Sequence, residues 1–329
     1  MEHRLSSTNN VSRPKTTIVA AAVLSTAAFL SATTIGAVST YAAEPDKQSA
    51  STQQQAVSYI DQRYATDPTF RSVLGQPTGA EQGNEQLKFR DYQNGRAYWT
   101  PASGVHNVNG QVYQKYIALG GHNVLGEPTT DESHTPDGIG RFNHFRGSTN
   151  TGPVSIYWTA ATGAQRIQGQ IRQTWANTGW ERGVLGYPVT SQTTAPDGAS
   201  QYANFQNGTI YESPQHGAQY VIGEIYKKWG AQGYDTGFLG KPVTSEGTTP
   251  SGGKFNRFDG GMIYWSAATS AHSIQGRILD KYASLGYEQS WLGYPSSDEY
   301  DTNGGKASNF QNGYIVFNYA TGQATAHRF

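Results

Sequence analysis

The chain has no cysteine in 329 residues, only two methionines, and charged side chains at just 15% of positions. Without cysteine there is no disulfide framework, no thiol nucleophile and no thiolate metal site. Lysine plus arginine and aspartate plus glutamate balance at 24 each. No basic stripe interrupts that balance, so nucleic acid has no electrostatic footing as a partner. Neither a His-Glu-x-x-His spacing nor a Gly-x-Ser-x-Gly elbow occurs, which removes two common hydrolase layouts. Stability has to come from core burial, for which 21 Tyr, 12 Phe and 7 Trp are available.

At the N-terminus, Arg4, Arg13 and Lys15 precede an uncharged, small and apolar stretch from Thr16 to Val38. Thr40-Tyr41-Ala42 then places small residues at −3 and −1 of a cleavage site. This layout predicts a secretory signal peptide over residues 1–42. The stretch is long enough to span a bilayer, but its Ala, Ser and Thr content makes a weak anchor. With no cysteine, lipoprotein anchoring is excluded, and no membrane span is expected after cleavage. Cleavage removes Arg4, Arg13, Lys15 and Glu2, leaving 21 basic and 23 acidic residues, a net of −2. Residues 43–55 include Ser49 to Gln55, Ser-Ala-Ser-Thr-Gln-Gln-Gln. They read as a disordered polar leader with nothing to bury.

What is present is repetition. One phrase occurs five times: Leu74-Gly75-Gln76-Pro77, Leu125-Gly126-Glu127-Pro128, Leu185-Gly186-Tyr187-Pro188, Leu239-Gly240-Lys241-Pro242 and Leu292-Gly293-Tyr294-Pro295. The leucines are 51, 60, 54 and 53 residues apart. A fixed period of that size signals a repeat architecture. The units are expected at 56–109, 110–168, 169–222, 223–275 and 276–329. Each Leu is expected to plug into the core, while Gly permits a tight backbone path and Pro fixes φ. The third position holds Gln, Glu, Tyr, Lys or Tyr, variation that fits a solvent-facing site.

Ahead of the phrase, Ile225 and Trp229 are four apart and share a helix face. Ile60/Tyr64, Val112/Tyr116, Ile171/Trp175 and Ile278/Tyr282 repeat the pair. Gly120, Gly179, Gly233 and Gly286 follow four residues after the aromatic, as left-handed helix C-caps do. Pro68 takes that place in the first unit, whose helix is expected to end differently. After the phrase come turn sequences such as Pro136-Asp137-Gly138 and Pro196-Asp197-Gly198. Strands follow. Asn94-Gly95, Asn207-Gly208 and Asn312-Gly313 sit between aromatics and predict hairpins. The two aromatics are six apart except in unit 2, Phe145 to Tyr157, where an insertion around 148–153 makes the spacing twelve. A last apolar pattern closes each unit, at Val108, Ile167, Val221, Ile274 and Phe329, and the fifth unit is expected to be complete. The fold class is α+β: five tandem repeats of about 53 residues, each one helix plus a small antiparallel sheet. Units this small must pack on neighbours. An elongated stalk is the expected arrangement; a closed five-bladed propeller-like array is the alternative.

The Leu-Gly-x-Pro turn, the preceding aromatic and glycine, and the later aromatic hairpin resemble the LGFP repeat. The resemblance covers residues 56–329. It implies an exported protein of mycolic-acid-containing actinobacteria, where such repeats stand alone or are appended to mycoloyltransferases and wall hydrolases. It further implies a stalk that associates with the peptidoglycan–arabinogalactan wall. The mycoloyltransferase catalytic domain itself has no counterpart here.

Candidate contacts follow from the repeat columns. Tyr98-Trp99, Tyr157-Trp158 and Tyr264-Trp265 are adjacent on a strand and point to opposite faces. Trp99, Trp158 and Trp265 are therefore candidates to stack on sugar rings, with packing between units as the plainer role; Glu212 and Phe317 replace Trp in units 3 and 5. His106, His272 and His327 share a column with Gln165 and Gln219. Glutamine replaces neither a general base nor a zinc ligand, so His106, Gln165, Gln219 and His272 are read as hydrogen-bonding or sugar-contacting residues. No metal or cofactor is expected. The acids Glu81, Asp131, Glu132, Glu246, Asp298 and Glu299 form a broken column, read as solvated loop rather than a glycosidase pair. The expected function is non-catalytic binding of cell-wall polysaccharide, arabinogalactan or peptidoglycan, in the envelope. An adaptor for an envelope protein or enzyme is the second reading, and a wall-modifying hydrolase the third.

Overall fold

A computed structural model describes residues 57–329; the expected signal peptide and polar leader lie outside the described residues. Five four-stranded antiparallel sheets follow one another, each with its strands in chain order. Unit 4 shows the plan. Helix Gly223–Ala231 leads into a single 3₁₀ turn, Tyr234–Thr236. The sheet comprises Gly247–Thr248, Lys254–Phe258, Gly261–Ser266 and Ser270–Gln275. The hairpins lie where the Asn-Gly pairs predict them. In unit 2 the insertion lengthens both hairpin strands and shifts their register between Phe145 and Ser148. Unit 1 departs as expected: Asp67 caps a second helix, Pro68–Leu74, with Pro68 in its first turn.

The Leu-Gly-x-Pro phrase is the hub of each unit. Its Leu is buried all five times. Its Gly holds φ between 69° and 72°, a region that side chains with a Cβ rarely enter. Its Pro bridges to an aromatic of the second strand, Tyr92, Phe145, Phe205, Phe258 or Phe310, the last residue of that strand except in unit 2. The helix aromatic then donates to the Gly carbonyl. Tyr64, Tyr116 and Tyr282 hydroxyls reach Gly75, Gly126 and Gly293 at 3.1, 2.8 and 2.8 Å. Trp175 and Trp229 indoles reach Gly186 and Gly240 at 3.1 and 3.0 Å. The hairpin turn closes the loop: the N–H groups of Asn94, Asn207 and Asn312 donate to the Leu74, Leu185 and Leu292 carbonyls at 3.0 to 3.1 Å.

No unit owns its core. Tyr98 and Val108 of the first sheet pack with Val112 and Tyr116 of the next helix and with Leu125, Phe145 and Ile156 of unit 2. The next junctions repeat this around Trp175, Trp229 and Tyr282. Strand alternation explains it: Ile263 and Trp265 face the core of their own helix, while Met262 and Tyr264 face the following one. Among the described residues no sheet precedes unit 1, and its cluster has five buried residues. Each side-chain hydrogen bond among the described residues joins one unit to itself or to a neighbour, the widest running from Lys228 to Asp298.

Two expectations are corrected. The third position of the phrase does not face solvent in units 3 and 5, where Tyr187 and Tyr294 are buried. Tyr187 reaches back to Thr135 and Asp137 of unit 2 at 2.7 to 2.8 Å. Tyr294 bonds Thr249 and Ser251 of unit 4. Lys241 pairs with Asp197 of unit 3. In units 3 to 5 this residue is a clasp on the preceding unit's turn, whereas Glu127 of unit 2 pairs with Arg146 of its own unit. A Cβ on Gly140 or Gly253 would come within 2.9 or 2.5 Å of the clasping tyrosine, so glycine is needed opposite each ring. Second, His327 lies opposite Tyr314, in the column of Val108; Thr325 holds the place of His106. Phe329 lies beyond the paired strand and is 77% exposed.

Tyr116→Phe and Tyr282→Phe each remove one hydroxyl and leave a part-buried glycine carbonyl without its donor. Each substitution costs about 1–3 kcal/mol in denaturant unfolding. Unchanged unfolding at both positions would remove this bond from the account of stability.

Candidate functional site

The polar columns converge on the joints between sheets. Gln165 donates to the Thr162 carbonyl at 2.8 Å and accepts from Ser191 of unit 3 at 2.9 Å. Gln219 does the same with His216 and Ser245, at 2.7 and 2.8 Å. The histidine joints are charged versions of this bridge. His106 faces Asp131 at 3.3 Å, and Arg63 pairs with the same carboxylate at 2.6 Å. His272 Nε2 donates to the Thr269 carbonyl at 2.7 Å, its Nδ1 faces Asp298 at 3.5 Å, and Lys228 pairs with Asp298 at 2.6 Å. Gln pairs with Ser and His with Asp, so the two sides of each joint change together. Arg63 and Lys228 escaped the sequence reading. The available signal was their shared place, one residue before the helix aromatic.

The acidic column is corrected from solvated loop to half-buried ion pairs. Glu81, Glu132 and Glu246 each lie near the basic residue opening the second strand, Glu299 accepts from Gln275 near Lys306, and the side chain of Glu132 is only 2% exposed where it meets Arg141 at 2.7 Å. Burial pushes the Glu132 carboxyl up to about 6, against the pull of Arg141. At Asp131 burial also raises the pKa, but hydrogen bonds from His106 and Arg63 outweigh it and hold the group down at about 2. No three His, Asp or Glu side chains are placed to hold a metal ion among the described residues.

Trp158 and Trp265 are half-buried and packed on cores, Trp158 at the joint of units 1 and 2 and Trp265 at that of units 3 and 4. Trp99 differs. It stacks on Tyr59 at 4.8 Å and lines an open cleft of about 310 Å³ with Gln62, Arg63 and Thr66. A second cleft, about 270 Å³, lies between units 2 and 3 and is lined by Gln168, Gln170, Gln192, Gln201 and Glu212. An aromatic ledge and a row of amides are the groups that stack on sugar rings and bond their hydroxyls.

A family model, the LGFP repeat, matches residues 74–123, 125–183, 185–237, 239–290 and 292–329. Its frame opens at each Leu-Gly-x-Pro, and ours at the helix; a core shared by two sheets makes the cut arbitrary. No curated protein matches the chain. Among solved structures, an extracellular domain from B. thetaiotaomicron matches at 13% identity, over 78% of this chain and 29% of its own length, with a TM-score of 0.16. Hydrazine synthase of Kuenenia stuttgartiensis matches at 10% identity, over 74% and 68%, with a TM-score of 0.13. At such scores the superpositions carry no argument about architecture or activity. No helix among the described residues is long and apolar enough to cross a membrane.

The depressed pKa of Asp131 sets a pH test. Its stabilisation is complete above the ordinary aspartate value near 3.8 and is lost as pH falls toward about 2. Asp131→Asn therefore flattens the fall in melting temperature between pH 4 and pH 2. Parallel curves for the two proteins would show that the joint does not depend on this charge.

Proposed function

The chain belongs to the LGFP-repeat family, and from that premise we propose that it is an exported, non-catalytic protein that binds the peptidoglycan–arabinogalactan wall. LGFP repeats are associated with the cell envelope, which supports a wall-associated role. The observation that carries the reading is the in-register match of five units from residue 74 to residue 329. A repeated surface suits a repeated polymer: each contact with a hydroxylated sugar is weak, and several on one array raise avidity through effective concentration. Residues 1–42 serve as the export signal in this reading. The carboxylates held in ion pairs at the joints support a structural role for that column. The cleft at Trp99 and Tyr59 and the amide-lined cleft at Gln168 and Gln192 are the contact surfaces.

Residues 43–329 co-sediment with purified, delipidated wall, and soluble arabinogalactan competes. Binding that persists on arabinogalactan-free peptidoglycan assigns the contact to peptidoglycan. Trp99→Ala weakens pelleting several-fold while the melting curve stays cooperative. Absence of the protein from both pellets would overturn the reading.

A further inference from the structure

The four joints between sheets share one aromatic slot, and one of the four is unfilled. Between units 1 and 2, the Arg96 guanidinium lies over Phe89 at 4.6 Å and Tyr98 at 5.9 Å, paired with Asp91. Between units 2 and 3, the Arg172 guanidinium lies over Trp180 at 5.0 Å and bonds Ser155 at 2.6 Å. Between units 4 and 5, buried Met262 takes the strand position of Arg96, and Leu279 the helix position of Arg172. Between units 3 and 4 those positions are Thr209 and Tyr226. The Thr209 hydroxyl turns away to the Ala203 carbonyl at 3.0 Å, so nothing enters the slot. What remains is a cavity of about 300 Å³, walled by Tyr202, Tyr226, Trp229 and Tyr234, with Asn204 and Asp235. That volume is at the low end for ligand sites.

The ring that closes the slot also stands differently. His122, Trp180 and Tyr287 each pack on the strand tyrosine, at 5.6, 6.1 and 6.5 Å from Tyr98, Tyr157 and Tyr264. Tyr234 keeps the helix-aromatic contact, Trp229 at 5.3 Å, as Trp180 and Tyr287 do, but rests on Tyr226 at 5.8 Å in place of the strand tyrosine. The strand tyrosine there, Tyr211, donates to Asp235 at 2.8 Å. Asp235 is the one charged side chain in the lining.

We propose that the pocket between units 3 and 4 binds the cationic end, guanidinium or ammonium, of a small ligand or polymer substituent, in the place that Arg96 and Arg172 fill from within the chain. Aromatic faces attract such cations, and Asp235 supplies the countercharge. With no basic residue in the lining, an anion finds a carboxylate and no partner. The ligand of this pocket is separate from the wall polymer bound by the array surface.

The test titrates residues 43–329 with agmatine and follows tryptophan fluorescence and heat. N-acetylglucosamine and glucuronate are the neutral and anionic comparisons. Agmatine is expected to saturate, and the two sugars to give no signal. Thr209→Arg and Thr209→Met fill the slot from inside, as the other joints do, and are expected to abolish binding with the melting temperature kept or raised. Asp235→Asn is expected to weaken binding about tenfold or more. Saturation by N-acetylglucosamine and not by agmatine would make this a sugar site and overturn the proposal. Agmatine binding unchanged in both Thr209 variants would place its site elsewhere, and no binding by the unmodified chain would leave a packing void; either result also overturns it.

Discussion

The bond from the helix aromatic to the Leu-Gly-x-Pro glycine carbonyl constrains everything else in the repeat. The left-handed glycine lets the chain turn sharply, and the same turn directs a peptide oxygen toward the core. A buried acceptor without a donor costs more than a satisfied one gains, so a donor must stand opposite. The helix supplies it in all five units. This explains a column that holds Tyr and Trp but never Phe: the ring fills the core and its polar atom satisfies the turn. Once that bond fixes the helix over the turn, Leu enters the core, Pro meets the second strand, and the hairpin folds back onto the Leu carbonyl. Helix, turn and hairpin are held as one piece by three interactions with a single four-residue phrase.

A second constraint follows from sheets that are apolar on both faces. A four-stranded sheet with Ile263 and Trp265 on one side and Met262 and Tyr264 on the other cannot be covered by one helix. It needs its own helix before it and the next unit's helix after it. Stability then resides in joints, and the energetics approach a chain of nearest-neighbour terms. The fifth sheet differs from the other four. Its outward face carries Val316 in the tyrosine column and His327 in the column of Val108, Ile167, Val221 and Ile274. The last strand is largely exposed, unlike its four counterparts. A closed ring would bury that face under the first helix and would demand apolar residues there.

Much of this was legible because it is local. Helix faces, the glycine caps, the Asn-Gly hairpins and the buried leucines all follow from residues within about one turn or one strand of each other. The misreadings share a cause. Tyr187 and Tyr294 look like variable surface positions because their partners, Thr135 and Thr249, lie 52 and 45 residues earlier. Glu132 looks solvated because a polar loop residue says nothing of the sheet that will cover it. His327 was placed by analogy with the triplet endings of other units, whereas strand pairing, counted from Gly313, puts it two places along. Trp99, Trp158 and Trp265 alternate across the sheet with Tyr98, Tyr157 and Tyr264, and both rings of each pair pack on a core. Among the described residues no sheet precedes unit 1, and its helix and Trp99 line an open cleft.

The joints also bear on how such an array acquires function. A repeat that bound a polymer through five identical sites would need five identical surfaces. Here the units are alike where they satisfy the turn and unlike where they meet. The slot between sheets holds Arg96, Arg172 or Met262 in three joints and neither cation nor thioether in the fourth. The bridge below it is charged at Arg63–Asp131 and Lys228–Asp298 and neutral at Gln165–Ser191 and Gln219–Ser245. The neutral bridges are the two on either side of the third sheet, although the joint of units 3 and 4 carries a separate ion pair, Lys241–Asp197. Variation confined to the joints leaves the turn intact while each interface becomes chemically distinct. If the proposed readings hold, avidity for a regular polymer comes from surfaces outside the slots, and selectivity for a cationic substituent from the one slot left open.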